Sequence, residues 1–255
     1  MHSSEIYALL LALLFAVAAG LIGCFALMKR MLLASDVISH LALPGLGIAL
    51  LLKVNPLIGG AASLFLGTLF IWRLQRKTGL ATDAAIGVVF ATALAIGAAL
   101  TPREDLVEAL FGSFRDLSLT GFLLGLAAVA FVVFSIFRLK DQLVLNLFSP
   151  ELAAATGVKV SRLDLYFLLL FSLVVLVGLR YMGALLASAL IILPAAIGRQ
   201  LTGRVSSFLL VSSAASVVSV LLGYLLSTLV LKTSTPGPAI VVASALLFAL
   251  SLVKK

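Results

Sequence analysis

Charged residues are scarce in this chain: Asp, Glu, Lys and Arg make up 11% of its 255 residues, whereas hydrophobic residues make up 63%. A soluble domain carries about 25% charged residues. So few charges cannot cover a folded chain of this length against water, and the mean hydropathy of +1.27 agrees. The composition therefore excludes a soluble protein and indicates one whose solvent is lipid.

Cysteine and the common catalytic motifs are also lacking. The single cysteine, Cys24, lies in an apolar block, so neither an intramolecular disulfide nor a thiol cluster for a metal can form within one chain. The sequence contains no Gly-x-x-x-x-Gly-Lys-Ser/Thr phosphate loop, no His-Glu-x-x-His pair and no Gly-x-Ser-x-Gly elbow. We therefore expect no enzyme activity in this chain, ATP hydrolysis through such a loop included.

Long apolar blocks are present instead, most of them close to the ~20 residues that a helix needs to cross the bilayer. They cover residues 6–28, 31–52, 57–72, 84–100, 119–137, 163–180, 183–200, 205–231 and 238–253. The sequence predicts an all-α integral membrane protein, a polytopic bundle of about 8–9 transmembrane helices that forms a single domain over residues 1–255.

The basic residues concentrate on one side when consecutive loops are placed on opposite sides of the membrane. Thirteen of the 18 share that side: Lys29, Arg30, Arg73, Arg76, Lys77, Arg138, Lys140, Lys159, Arg162, Arg199, Arg204, Lys254 and Lys255. Cytoplasmic loops carry such an excess, which predicts an external N-terminus, a cytoplasmic C-terminus and nine spans. The net charge of +8 thus orients helices, and no nucleic-acid partner is indicated.

Two segments outside the apolar blocks predict short helices. Residues 101–118 mix charges with apolar residues at steps of four, which favours an external interfacial helix; with eight spans, this segment or one block would be re-entrant or interfacial. In the cytoplasmic stretch 138–164, Ser149 is a cap, Pro150 and Glu151 suit a first turn, and Gly157 suits a helix end. This helix is either a docking element for a soluble partner or an amphipathic linker.

Two ionisable residues lie inside the second block. Asp36 and His40 are six and ten residues beyond Arg30, or roughly 9 and 15 Å deep, and their spacing places them on one helix face. Such residues are costly in hydrocarbon and mark functional sites. Three interpretations stay open: a packing hydrogen bond, a proton relay, or a transition-metal site that two copies of the chain complete. Pro44 and Gly45 predict a helix break beside them.

The segment Asp36-x-x-Ser-His40-x-x-x-Pro44-Gly45 resembles the permease subunits of zinc and manganese ATP-binding-cassette importers. The resemblance extends over about residues 8–252. Further similar segments are residues 82–90, Ser149-Pro150-Glu151 with Gly157, residues 183–186, residues 193–196 and residues 236–240.

The resemblance implies the type II importer fold, about eight spans and location in a prokaryotic plasma membrane. It implies that Asp36 and His40 bind the transported Zn²⁺ or Mn²⁺, with Fe²⁺ a further candidate, and that no cofactor is permanently bound. The implied partners are a second copy of the permease, cytoplasmic ATP-binding subunits that hydrolyse ATP and receive a coupling helix at about residues 148–157, and an extracytoplasmic metal-binding protein. The alternatives are a permease for chelated iron or another small cargo and, less favoured, a proton-driven secondary transporter.

Overall fold

The computed structural model describes residues 3–32, 34–100, 118–231 and 236–253, and within these ranges every regular element is a helix. The helices are α1 (Ser3–Met28), α2 (Ala34–Ser39), α3 (Leu43–Leu51), α4 (Pro56–Thr78), α5 (Thr82–Leu100), α6 (Leu119–Phe148), α7 (Pro150–Ala155), α8 (Val160–Met182), α9 (Ala184–Leu201), α10 (Val205–Leu225) and α11 (Gly237–Val253). A 3₁₀ turn, His40–Ala42, joins α2 to α3, and a π-helical segment, Leu226–Leu231, extends α10.

Eight helical stretches in the described residues are long and apolar enough to cross a membrane, with α2 and α3 forming one stretch together. The further apolar helix α11 has 17 residues, the lower end of the spanning range. The prediction of an all-α bundle of about 8–9 spans is confirmed. The predicted interfacial helix over 101–118 lies outside the described residues, apart from Ser118, whose hydroxyl caps α6 by accepting from the Gly121 N–H.

The helices form two groups. In the first, α1 is central and packs against α6, α8, α9 and α10, with Phe15 and Ile22 fully buried. In the second, α3, α4 and α5 pack together, and the close crossing of α3 and α4 requires glycine, since a Cβ on Gly45 would collide with the Gly59 carbonyl oxygen. Contacts of α2 and α4 with α8 connect the two groups.

α6 extends beyond its apolar block. The block ends near residue 137, but the helix runs for 30 residues to Phe148, about 45 Å, which exceeds the hydrocarbon thickness. The predicted cytoplasmic stretch 138–164 therefore begins as a continuation of this helix. It is followed by the short helix α7 and the start of α8.

Candidate metal site and cytoplasmic cavity

The second span changes its helix type at His40. Pro44 has no N–H to donate to the His40 carbonyl; instead the Leu43 N–H donates to that oxygen, which closes a 3₁₀ turn. Ser39 donates its hydroxyl to the Asp36 carbonyl oxygen at 2.6 Å. The structure thus places His40 at an irregular turn of the backbone that lies directly before Pro44.

Asp36 and His40 lie on the least buried face of the second span. Asp36 is exposed, His40 and Pro44 are partly buried, and Ile48 is 46% exposed, whereas Ser39 between them is buried. These residues follow one another at steps of four, so one stripe of the helix is left uncovered by the other described residues. A carboxylate and an imidazole therefore face a surface that remains available to a ligand or to another chain.

The polar side-chain atoms of this pair form no hydrogen bond with the other described residues. In the part of the chain that the structure describes, the Asp36 carboxylate has no hydrogen-bond or ion-pair partner, and no hydrogen bond joins it to His40. The imidazole packs against the ring of Phe90 on α5, with a centroid distance of 5.7 Å. The oxygens of Asp36 and the ring nitrogens of His40 are free to bind an ion.

One chain does not provide a complete metal site in its described residues, where no group of three or more His, Cys, Asp or Glu side chains is placed to hold an ion. Transition metals in proteins commonly bind four or more ligands. The pair Asp36 and His40 therefore needs further ligands, which water or a second copy of the chain can supply.

Ser63 is a residue of this region that the sequence analysis missed. It lies on α4 and donates its hydroxyl to the Leu41 carbonyl oxygen at 2.7 Å, inside the 3₁₀ turn. A single hydroxyl in an apolar span does not by itself indicate a function. Only Pro44, which lacks an N–H, indicates that a carbonyl before it needs a donor from another helix.

The helix ends that the charge pattern assigns to the cytoplasm meet around one cavity of about 650 Å³, which we call the cytoplasmic cavity. Its lining includes Lys29, Arg76, Pro150 and Asp164. Its charged lining residues are three basic ones, Lys29, Arg30 and Arg76, and one acidic one, Asp164. The sidedness predicted from the basic residues and the tertiary packing thus agree on which helix ends lie together.

An ion pair in the cytoplasmic cavity joins three helix ends and was also missed by the sequence analysis. The Lys29 ammonium on the turn after α1 lies 2.6 Å from the Asp164 carboxylate in the first turns of α8. Asn146, near the end of α6, donates its side-chain amide to the same carboxylate oxygen at 2.9 Å. An aspartate at the start of a span was the available signal, but its partners are distant in the sequence.

The short helix α7 protrudes between α6 and α8. Ser149 accepts a hydrogen bond from the Leu152 N–H at 3.3 Å, and Gly157 has a φ of +85°, a conformation that glycine adopts easily. Ala153 is fully buried against the neighbouring helices, whereas Glu151 is exposed. Phe148 and Leu152 add apolar surface, at 73% and 52% exposure. This surface is suited to contact with a soluble partner.

Known proteins resemble this chain over nearly its whole length. The family model described as the ABC 3 transport family matches residues 1–255. The chain is 32% identical over 249 residues to the manganese transport system membrane protein MntC of Halalkalibacterium halodurans, covering 96% of this chain and 85% of that one. It is 28% identical over 254 residues to the high-affinity zinc uptake system membrane protein ZnuB of Haemophilus influenzae, covering 97% and 96%. Among solved structures, PsaBC from Streptococcus pneumoniae in complex with Fab is 26% identical, with a TM-score of 0.82 over 99% of this chain and 91% of that one.

Proposed function

Because the chain belongs to the ABC 3 transport family, we propose that it is the membrane-spanning permease subunit of an importer that moves Zn²⁺ or Mn²⁺ into the cytoplasm. Its family and the eight candidate spans among its described residues make it a multi-pass protein of the plasma membrane. The manganese and zinc transport named for the two relatives supports this cargo. The observation that carries the proposal is a carboxylate and an imidazole that share one face of a membrane span and have no hydrogen-bond partner among the described residues.

The proposed ion site lies between two copies of the permease. Each copy contributes one Asp36 carboxylate and one His40 imidazole. Together they provide two oxygen and two nitrogen ligands, a set that suits Zn²⁺ and, with water added, Mn²⁺ or Fe²⁺. The exposure of Asp36 supports this arrangement, since a charged group left on a span needs an ion, water or another chain as its partner.

The proposed transport cycle is alternating access powered by separate chains. A metal-binding protein on the outer side releases the ion into the site, and cytoplasmic ATP-binding subunits bind ATP and hydrolyse it. These subunits contact α7 with Phe148 and Leu152, and the resulting movement opens the site toward the cytoplasm. The capped and exposed α7 supports this docking role.

Cellular metal content tests the proposed function. Cells would express the wild-type permease or Asp36→Asn at matched membrane levels, together with the ATP-binding subunits and the metal-binding protein, and mass spectrometry would measure zinc, manganese and iron. We expect wild type to raise zinc or manganese and Asp36→Asn to remove most of this increase, because an amide lacks the anionic ligand. Asp141→Asn, which removes an exposed carboxylate from α6, is the control and should behave as wild type.

The measured metal contents distinguish the proposed importer from its alternatives. Equal accumulation by wild type and Asp36→Asn would remove Asp36 from the ion path. A fully assembled complex that accumulates none of the three free metals would overturn the metal-importer proposal in favour of a permease for chelated iron. Uptake that persists without the ATP-binding subunits would favour a secondary transporter.

A further inference from the structure

α4 is hydrogen-bonded near both ends to elements with proposed roles in transport. Toward the cytoplasmic cavity, the Trp72 indole N–H donates to the Ser161 carbonyl oxygen at 2.8 Å. Deeper in the membrane, the Ser63 hydroxyl donates to the Leu41 carbonyl oxygen at 2.7 Å, in the 3₁₀ turn that carries His40. One continuous helix therefore contacts both the start of α8 and the candidate metal site.

The segment of α4 between these two bonds is regular. Trp72 and Ser63 are nine residues apart in a helix without a break, which corresponds to about 13 Å along its axis. Thr68, between them, forms a buried hydroxyl contact of 2.6 Å with Ser172 on α8. A regular helix resists compression, so a displacement at Trp72 reaches Ser63 with little loss.

The start of α8 is connected to α7 by a short hydrogen-bonded turn. Ser161 lies in the first turn of α8, four residues after Gly157, and the Val158 N–H donates to the Ala153 carbonyl oxygen across the connecting turn at 3.0 Å. The hydrogen bond from Asn146 to Asp164 ties this part of α8 to the end of α6 on the other side of α7. Whatever displaces α7 therefore displaces Ser161.

The hydrogen bond between the Ser63 hydroxyl and the Leu41 carbonyl is costly to break. The Leu41 carbonyl lies in an irregular turn before Pro44, and an unsatisfied carbonyl in hydrocarbon costs several kcal/mol. Ser63 is therefore held to the turn, and the turn follows α4 when α4 moves. Because His40 begins this turn, its imidazole moves with it.

We propose that Trp72 and Ser63 are positioning residues that transmit the movement of α7, through α4, to the turn of His40. This inference rests on the proposed function. Trp72 links α4 to the element that the ATP-binding subunits displace, and Ser63 links α4 to the ion ligand. Breaking either link weakens this transmission while the Thr68–Ser172 contact still holds α4 to α8, so ATP hydrolysis proceeds and fewer ions cross for each ATP.

The test uses the full complex of permease, ATP-binding subunits and metal-binding protein reconstituted in lipid vesicles. Ion uptake and phosphate release are measured in the same sample for wild type, Trp72→Phe, Ser63→Ala and the double variant. Trp72→Phe keeps an aromatic ring and removes the N–H donor. Ser219→Ala is the control, because among the described residues Ser219, a fully buried helical serine, bonds only the Ala215 carbonyl of its own helix.

We expect each single variant to lower the number of ions imported per ATP by ~5-fold or more. This factor is the lower end of the range typical of energetic coupling between two sites. Two links in series fail together, so the double variant should be no worse than the more affected single variant. Ser219→Ala should keep the wild-type ratio. If Ser63→Ala assembles poorly, the ratio of imported ions to hydrolysed ATP in Trp72→Phe alone tests the inference.

Three outcomes would overturn the inference. The first is an unchanged ratio in Trp72→Phe, and the second is a double variant whose loss is the product of the single losses, which indicates independent structural roles. In both cases ATP-driven import by wild type still stands, so the proposed function survives. The third is a wild-type complex that imports no ion, which removes the proposed function and this inference with it.

Discussion

At the scale of single residues, the proposed site depends on Asp36 and His40, the two ionisable side chains of the second span. The structure leaves the Asp36 carboxylate exposed and packs the His40 ring against Phe90, without a hydrogen bond between the pair. The resemblance of the sequence to metal permeases led to the same residues. What the structure adds is that both remain available, because a packing hydrogen bond between them is absent from the described residues.

The first prediction concerns His40. An amide in place of the imidazole removes the nitrogen ligand that each chain offers, so we expect His40→Gln to remove most of the ion uptake per assembled complex. The measurement is initial uptake into vesicles that contain matched amounts of assembled complex. Uptake equal to that of wild type would show that His40 is not a ligand.

At the scale of elements, helix ends are joined by polar contacts around the cytoplasmic cavity. Asn146 is 5% exposed and Lys29 is partly buried, so both depend on Asp164 for a partner. A buried donor left without an acceptor costs about 1–3 kcal/mol. Asp164 itself is 36% exposed, and solvent weakens the ionic part of this contact.

The second prediction is therefore a loss of stability in Asp164→Leu. Removing the carboxylate leaves the Lys29 ammonium and the Asn146 amide without their acceptor, and we expect the free energy of unfolding to fall by about 1–2 kcal/mol. Thermal unfolding of the permease purified in detergent measures this change. Asp141→Leu, at an exposed position of the same end of the molecule, should unfold as wild type does. If the two variants unfold alike, the contact does not stabilise the fold.

The third prediction concerns α7 as a docking element. Leu152 is exposed on this helix and Phe148 lies four residues before it, so we expect Leu152→Asp to reduce co-purification of the ATP-binding subunits at least several-fold. The permease itself should remain folded, since the side chain is on the surface. Leu80→Asp, on the loop after α4, is the matched control and should retain the subunits. Normal complex formation by Leu152→Asp would remove α7 from the interface.

At the scale of the whole molecule, one chain supplies half of the proposed ion site. The fourth prediction follows: the purified permease binds one ion for every two chains, because two copies of Asp36 and His40 form one ligand set. Metal analysis of the protein after removal of free ions measures this ratio. Asp36→Asn should retain much less metal. A ratio of one ion for each chain would contradict the shared site and indicate that water completes a site within each copy.

Several features of the fold could be predicted because they depend on local chemistry. The positions of the spans follow from the hydrocarbon thickness. Helices α5 and α8 begin and end within a few residues of their predicted apolar blocks, and α4 continues beyond its block through a polar segment that ends at Thr78. The ends of α7 follow from the capping hydroxyl of Ser149 and the backbone freedom of Gly157. Cys24, which the sequence places in the first apolar block, is fully buried with its thiol near the Phe208 carbonyl.

The sequence by itself determined that this chain is a multi-span helical membrane protein, which face of the second span carries Asp36 and His40, and where the short cytoplasmic helix begins. These properties depend on residues that are close together in the chain. Only the tertiary structure decided that Ser63 reaches Leu41, that Trp72 reaches Ser161 and that Lys29 pairs with Asp164, across 22, 89 and 135 residues of sequence. The reason is physical: apolar spans of similar length and composition can pack in many orders, and a single hydroxyl or carboxylate does not specify which neighbour it will contact.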